Sequence, residues 1–208
     1  MTKSDLLKKY NFIFWDFDGV ILNSMSVRDI GFKIVLKNYP KKYVDNLLEY
    51  HRQNGGLSRY HKFQYFFEHI LKEPFSQDQI ADLAAQFSLI MKKELINKDL
   101  LINETLAFIK ETNGLIRHVI VSGSDQNELR FLCKELSINS YFDEIYGSPT
   151  PKITLVASVI NTKKLVLETS CLVGDSKNDL EAAQLNKISF IGFNFTGNEK
   201  VTKMTFYK

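Results

Sequence analysis

Phe12-Ile13-Phe14-Trp15-Asp16-Phe17-Asp18-Gly19 decides the fold of this chain. A short aromatic and β-branched run stops at two acids and a glycine, the pattern of a buried strand meeting a turn. The strand carries two carboxylates to its C-terminal end, where open α/β sheets place their ligands. Carboxylates that close repel each other unless a cation or a shared proton lies between them. The stretch therefore predicts a metal or acid–base site at the mouth of a buried strand.

Further strand patterns follow at 118–121, 144–146, 171–173 and 188–191. Helical stripes separate them: Leu106 and Ile109 ahead of the Asn113-Gly114 stop, Leu129 with Leu132 and Leu136 after Asp125, then Leu155 with Val156 and Val159. Strands alternating with helices of this length predict βαβ units, so the fold class is α/β with a parallel sheet flanked by helices. Segment 22–98 breaks the rhythm and holds no convincing strand. Phe63, Phe66, Phe67 and Ile70 fall at helical spacing, as do Ile80, Ala84, Phe87 and Met91. Ser76 with Gln79 three residues on reads as a capping box. These patterns predict a core built from 1–21 and 99–208, with 22–98 inserted as an all-helical cap over the strand ends. Gly55-Gly56 interrupts the helical pattern and calls for a reason.

Composition narrows the function classes. An apolar fraction of 44% and a charged fraction of 25% are those of an ordinary globular chain. Net charge is +3 and Lys8-Lys9, Lys41-Lys42 and Lys163-Lys164 are only short pairs, so nucleic acid is not an expected partner. No apolar run approaches the ~18 residues of a membrane span. The apolar stretch after the first lysines ends at Asp16, too soon for a secretory signal. Cys133 and Cys171 form no CxxC and are expected as buried free thiols. The expected location is the cytoplasm.

Three more polar groups close predicted strands: Ser122-Gly123-Ser124, Lys152 after Ser148-Pro149-Thr150-Pro151, and Gly174-Asp175-Ser176-Lys177-Asn178-Asp179. In a parallel sheet all these ends share one edge, so Asp16, Asp18, Ser122, Lys152, Asp175 and Asp179 can converge. Together these residue types suit phosphoryl transfer. A carboxylate can attack phosphorus and form an aspartyl-phosphate, provided a cation offsets its repulsion of the phosphate. The all-oxygen donor set of Asp16 and Asp175, with the Asp18 carbonyl and with Asp179 in support, suits Mg²⁺. Asp18 is placed to exchange protons with leaving group and water. Ser122, Gly123 and neighbouring backbone N–H groups are placed to hold phosphoryl oxygens.

In order and spacing, Asp16-Phe17-Asp18-Gly19-Val20, Ser122, Lys152 and Gly174-Asp175-Ser176-Lys177-Asn178-Asp179 resemble the four motifs of the haloacid dehalogenase superfamily. The likeness is to its magnesium-dependent phosphatase branch with a helical cap after the first motif, the phosphoglycolate phosphatase and β-phosphoglucomutase group. The resemblance implies a Rossmann-like core, Asp16 as nucleophile, Asp18 as acid/base, Ser122 and Lys152 as phosphate stabilisers, and Asp175 with Asp179 at the metal. Gly56-Leu57-Ser58-Arg59 resembles the β-phosphoglucomutase cap loop, whose arginine holds the substrate's second phosphate. That makes Arg59, with Arg28, a candidate substrate-binding residue, since a guanidinium suits phosphate or carboxylate. Two positions depart from the mutase: Arg28 stands in place of a cap histidine and Asp125 in place of a lysine. His51, His61 and His69 have no metal-ligand spacing and are expected as surface or partly packed residues, not ligands.

The expected activity is a Mg²⁺-dependent phosphohydrolase acting on a small-molecule phosphate ester, such as a sugar phosphate or a phosphoglycolate-like compound. A phosphomutase is the enzymatic alternative, and a non-catalytic receiver-like phospho-acceptor the alternative from another class. Receivers, however, lack the DxD spacing and any long insertion after the first strand.

Overall fold

The computed structural model describes residues 2–195 and 197–204. Its centre is β1 (Phe12–Trp15), every residue of which is buried. Such a strand must satisfy apolar neighbours on both faces, and its alternation divides the core in two. Ile13 and Trp15 pack with α6 (Asn103–Thr112) and α7 (Gln126–Glu135) through Phe108, Ile109, Leu129 and Leu132. Phe12 and Phe14 face the other way, onto α8 (Lys152–Lys163) and α9 (Lys177–Leu185) through Val156, Val159, Ala182 and Ala183. The predicted α/β architecture with helices on both faces is the one observed.

Among the described residues the sheet has six strands, all parallel, in the order β3-β2-β1-β4-β5-β6. The others are β2 (Arg117–Asp125), β3 (Glu144–Ser148), β4 (Ser170–Gly174), β5 (Ser189–Gly192) and β6 (Thr202–Lys203). Trp15 is level with Ile120 of β2 and Val173 of β4, so the residues just beyond leave the sheet at one height. The chain order reverses direction on either side of β1, which makes its C-terminal end a crevice for ligands. The pairing of β2 with β3 shifts register between Val121 and Asp125, an irregularity that re-aims the side chains around Ser122. Sequence patterning did not find β6 or the N-terminal helix α1 (Lys3–Lys9), which Thr2 caps and Leu6 anchors.

Between β1 and α6 the chain is helical: α2 (Met25–Val35), α3 (Lys41–Gln53), α4 (Arg59–Tyr65) and α5 (Gln77–Glu94). A π-helical turn, Phe66–Leu71, extends α4 and keeps Phe66 and Phe67 buried with Phe63. Ser76 caps α5 by accepting from the Gln79 N–H. The strands entering and leaving this segment lie side by side, with Asn23 N–H donating to Leu100 O at 2.8 Å and Ile102 N–H to Ile21 O at 2.9 Å. No helix among the described residues is long and apolar enough to cross a membrane.

Candidate active site

Close packing brings the sequence-predicted residues to one strand edge. Gly19 follows Asp18 at φ +76°, and a Cβ there would stand 2.0 Å from Asp175 Oδ2. Only glycine lets the loop after β1 approach the end of β4 so closely. Asp16, Asp175 and Asp179 each present a carboxylate oxygen, and these atoms lie within 4.8 Å of one another. Lys152, the first residue of α8, is buried between two of them: its Nζ is 2.9 Å from Asp16 Oδ1 and also donates to Asp179. The other Asp179 oxygen accepts from the Ser176 N–H at 3.0 Å and from its hydroxyl at 2.6 Å. Asp179 is thus committed to holding Lys152 and the start of α9.

The electrostatics of this trio are unbalanced. Burial, then repulsion by Asp179, pushes the Asp16 carboxyl up to about 7, although Lys152 opposes the rise. Burial and the charges of Asp16 and Asp179 push Asp175 up to about 9. Burial disfavours the charged Lys152, but Asp16 and Asp179 outweigh it and raise its pKa. Carboxylates held together at such cost, with hard oxygen donors only, fit a divalent ion such as Mg²⁺.

Asp18 lies outside this trio and faces the helical segment. Its Oδ1 accepts from Ser24 Oγ and from Arg28 Nε at 2.7 Å, and its Oδ2 from Ser124 Oγ at 2.6 Å. Burial works against its charge, yet the Arg28 guanidinium and the two hydroxyls prevail and hold the carboxyl below its ordinary range. Ser122 Oγ is tied to the same loop by the Ser124 N–H at 3.1 Å. Gly123 meets the helical segment directly, since a Cβ there would stand 2.3 Å from Gly56 O, and one on Gly56 2.7 Å from Ser176 Oγ. That contact is the reason for Gly56, where the loop lies against the backbone at Gly123 and no side chain fits, whereas a Cβ on Gly55 would meet nothing within 4 Å.

Arg28 and Arg59 are both buried, not surface residues, and converge on Glu128 of α7. Arg28 Nη1 donates to Glu128 Oε1 at 3.2 Å and Arg59 Nη1 to Oε2 at 2.5 Å, with Ser88 Oγ at 2.6 Å from Arg59. Each arginine keeps one buried Nη2 without a partner. A cavity of about 20 Å³ lies among Asp18, Arg28, Arg59, Lys62, His51 and Gly123. It has room for about one water, so the helical segment is shut on the core. A wider cleft of about 430 Å³ runs past Lys152, lined by Gly56, Tyr60 and His61 on one side and Thr150 and Asn178 on the other.

One expectation needs correction. His51 is fully buried, not a surface or partly packed residue: it is 1% exposed, accepts from Lys62 Nζ at 2.9 Å, and burial drives its pKa down to about 2. Asp125, which stands in place of the mutase lysine, caps α7 through the Asn127 and Glu128 N–H groups and accepts from Tyr60 Oη. Sequence reading missed Ser24, Glu128 and Lys62. Glu128 carries the signature of a capping-box glutamate three residues after Asp125, which conceals its partners. Lys62 left a usable signal, since it shares a helical face with Arg59 and with the buried Phe63 and Phe66.

The profile of a family described as haloacid dehalogenase-like hydrolase matches residues 13–193. A curated relative, the phosphorylated carbohydrates phosphatase of Thermotoga maritima, is 24% identical over 179 residues, covering 83% of this chain and 79% of that protein. Among solved structures, CbbY from Rhodobacter sphaeroides in complex with phosphate has a TM-score of 0.74 at 16% identity, over 94% of this chain and 93% of that one. The HAD-hydrolase YfnB from Bacillus subtilis bound to magnesium has a TM-score of 0.68 at 17% identity, over 95% and 94%. At these identities the two structures speak for the fold.

Proposed function

The chain belongs to the haloacid dehalogenase-like hydrolase family, and we propose that it is a Mg²⁺-dependent phosphatase of small phosphorylated metabolites. The observation that carries this reading is the trio of Asp16, Asp175 and Asp179, the first and last of them buried around Lys152, with Asp18 alongside. The phosphatase relative of Thermotoga maritima supports the reaction class and a phosphorylated carbohydrate or similar substrate. Residues 22–98 act as a cap on a core formed by 1–21 and 99–208.

Asp16 attacks phosphorus, the bond from phosphorus to the leaving oxygen breaks, and Asp18 gives that oxygen a proton. Asp18 then takes a proton from water, whose oxygen attacks the aspartyl-phosphate and frees Asp16 and inorganic phosphate. Ser122 and the Gly123 N–H hold phosphoryl oxygens, and Lys152 lends its charge to the same group. Asp16 and Asp175, with the Asp18 carbonyl, would hold Mg²⁺, which would compensate charge between carboxylate and phosphate. Parting of the cap releases Arg28 from Asp18, so substrate entry and the proton state of Asp18 are coupled.

The test is hydrolysis of p-nitrophenyl phosphate with and without Mg²⁺, in the wild type and in Asp16→Asn. Phosphate release by the wild type that is lost in the variant is expected. Equal release by both proteins would overturn the assignment of Asp16.

A further inference from the structure

We infer that the divalent cation reaches the acid trio through a cleft of the core that the inserted helices do not cover, and that Glu104 at its mouth draws the cation in. The inference rests on the metal of the phosphatase reading and adds its route and the residue that serves it.

The trio has one open side. Asp16 and Asp179 are buried, but Asp175 is partly exposed. It lines a cleft of about 560 Å³ together with Gly19, Asn23, Asn103, Glu104 and Asn194. No residue of this lining belongs to α2, α3, α4 or α5. Asn23 stands on the link into the helical segment and Ile102, also in the wall, on the link out, where main-chain bonds to Leu100 and Ile21 hold the two together. The cleft therefore keeps its walls whether the cap is shut or parted.

Size and charge favour this approach over the other two. Mg²⁺ gives up its waters reluctantly, and six of them at about 30 Å³ each need roughly 180 Å³. The cavity of about 20 Å³ above Asp18 is too small for such an ion. The cleft of about 430 Å³ is wide enough, but Lys152 lines it, and its buried ammonium stands between Asp16 and Asp179 and repels a cation. No Lys or Arg lines the cleft at Asp175. Its polar side chains are the carboxylates of Asp175 and Glu104 and the carboxamides of Asn23, Asn103 and Asn194. Asn194 turns its Nδ2 to Gly19 O at 3.4 Å, which leaves its Oδ1 to accept from water. Oxygen acceptors of this kind suit the waters of a hydrated cation. Glu104 is exposed in the first turn of α6, where the ordinary role of an acid is to complement the helix dipole. That role changes stability and leaves the rate of metal uptake alone.

Metal binding by itself decides the matter, with Mn²⁺ as the probe and a metal-sensitive dye reporting free Mn²⁺ in stopped flow. Tyr60 Oη of α4 and Asp125 Oδ2 at the start of α7 lie 3.0 Å apart across the cap boundary. Tyr60→Cys with Asp125→Cys, joined by a short bismaleimide, holds the cap shut, while Cys133 and Cys171 are buried and escape the reagent. The cross-linked protein is expected to take up and release Mn²⁺ at the rates of the unlinked double variant. Glu104→Gln should slow uptake by about 2- to 10-fold at low ionic strength, with release unchanged and the difference fading in high salt. Glu104→Lys should slow it further. Uptake that slows on cross-linking, or that Glu104→Gln leaves unchanged, overturns the proposal. A lower melting temperature of Glu104→Gln with unaltered uptake would assign Glu104 to the helix dipole alone. Ester hydrolysis by the wild type scores the phosphatase reading separately. Cap-independent, Glu104-dependent uptake without hydrolysis sinks that reading and leaves this one standing. Hydrolysis with cap-dependent uptake does the reverse.

Discussion

Two charge clusters flank the phosphate-side backbone, and they are unbalanced in opposite senses. On the core side, three carboxyl groups within 4.8 Å of one another share a single ammonium, Lys152, and burial with mutual repulsion raises Asp16 to about 7 and Asp175 to about 9. On the cap side, Arg28, Arg59 and Lys62 face only Asp18 and Glu128, and burial beside the two guanidinium groups brings Lys62 down to about 7. Buried like charges are tolerated in a fold only when something later neutralises them. The core side is short of a divalent cation and the cap side of an anion. On the proposed reading, a phosphate ester with its metal would supply both.

The comparison predicts opposite responses when one carboxylate is removed from each side. On the core side, Asp175→Asn should lower Mg²⁺-dependent hydrolysis by on the order of 100-fold or more, because it removes a proposed metal ligand. In metal-free buffer the same substitution relieves repulsion from Asp16 and Asp179. Its melting temperature without Mg²⁺ should therefore exceed that of the wild type, and Mg²⁺ should stabilise it less. Calorimetry with and without Mg²⁺ reads both effects. A metal-free variant less stable than the wild type would remove the repulsion on which the core half of the comparison rests.

On the cap side, Glu128→Gln should destabilise by about 3–5 kcal/mol, the cost of leaving a buried charge without its partner. Here the loss of a carboxylate raises the excess charge instead of lowering it. Urea unfolding measures the loss, and added inorganic phosphate should recover more stability in the variant than in the wild type. A stability change within experimental scatter would mean that water reaches Arg28 and Arg59 despite their burial.

The core side was legible in the sequence and the cap side only partly, for a physical reason. Asp16, Asp18 and Asp175 follow the ends of parallel strands, Ser122 lies near the end of β2 and Lys152 opens the helix after β3, so the strand pattern puts them on one edge. Nothing comparable orders the helical segment. Which face of α4 is buried depends on how it packs on α5 and on the loop at Gly123, contacts far apart in the chain. Arg59 was found through its loop, but its partner Glu128 looks like a helix cap, and Lys62 shows its burial only through the helical face it shares with Arg59, Phe63 and Phe66. β6 was missed because two residues carry too little pattern.

The sheet interior offers a third way of burying a polar group, and it sharpens the contrast because no net charge is involved. His118 accepts from Trp15 Nε1 at Nδ1, 3.0 Å, while its Nε2 lies 3.0 Å from Thr112 Oγ1. The Thr112 hydroxyl donates to Phe108 O at 2.7 Å, so it accepts from Nε2–H and fixes the neutral tautomer. A proton on Nδ1 would face the Trp15 N–H. Burial accordingly brings His118 down from 6.5 to about 4, despite Asp143. A histidine with a lowered folded-state pKa stabilises the protein fully above pH 6.5, and that contribution is lost as pH falls toward 4. The loss amounts to about 3 kcal/mol at most. His118→Gln should be less stable at pH 8 and show a shallower decline between pH 6.5 and 4.5, measured by urea unfolding at each pH. Parallel declines in the two proteins would assign the acid sensitivity to the charge clusters instead, making them, and not the neutral network, the weak point of the fold.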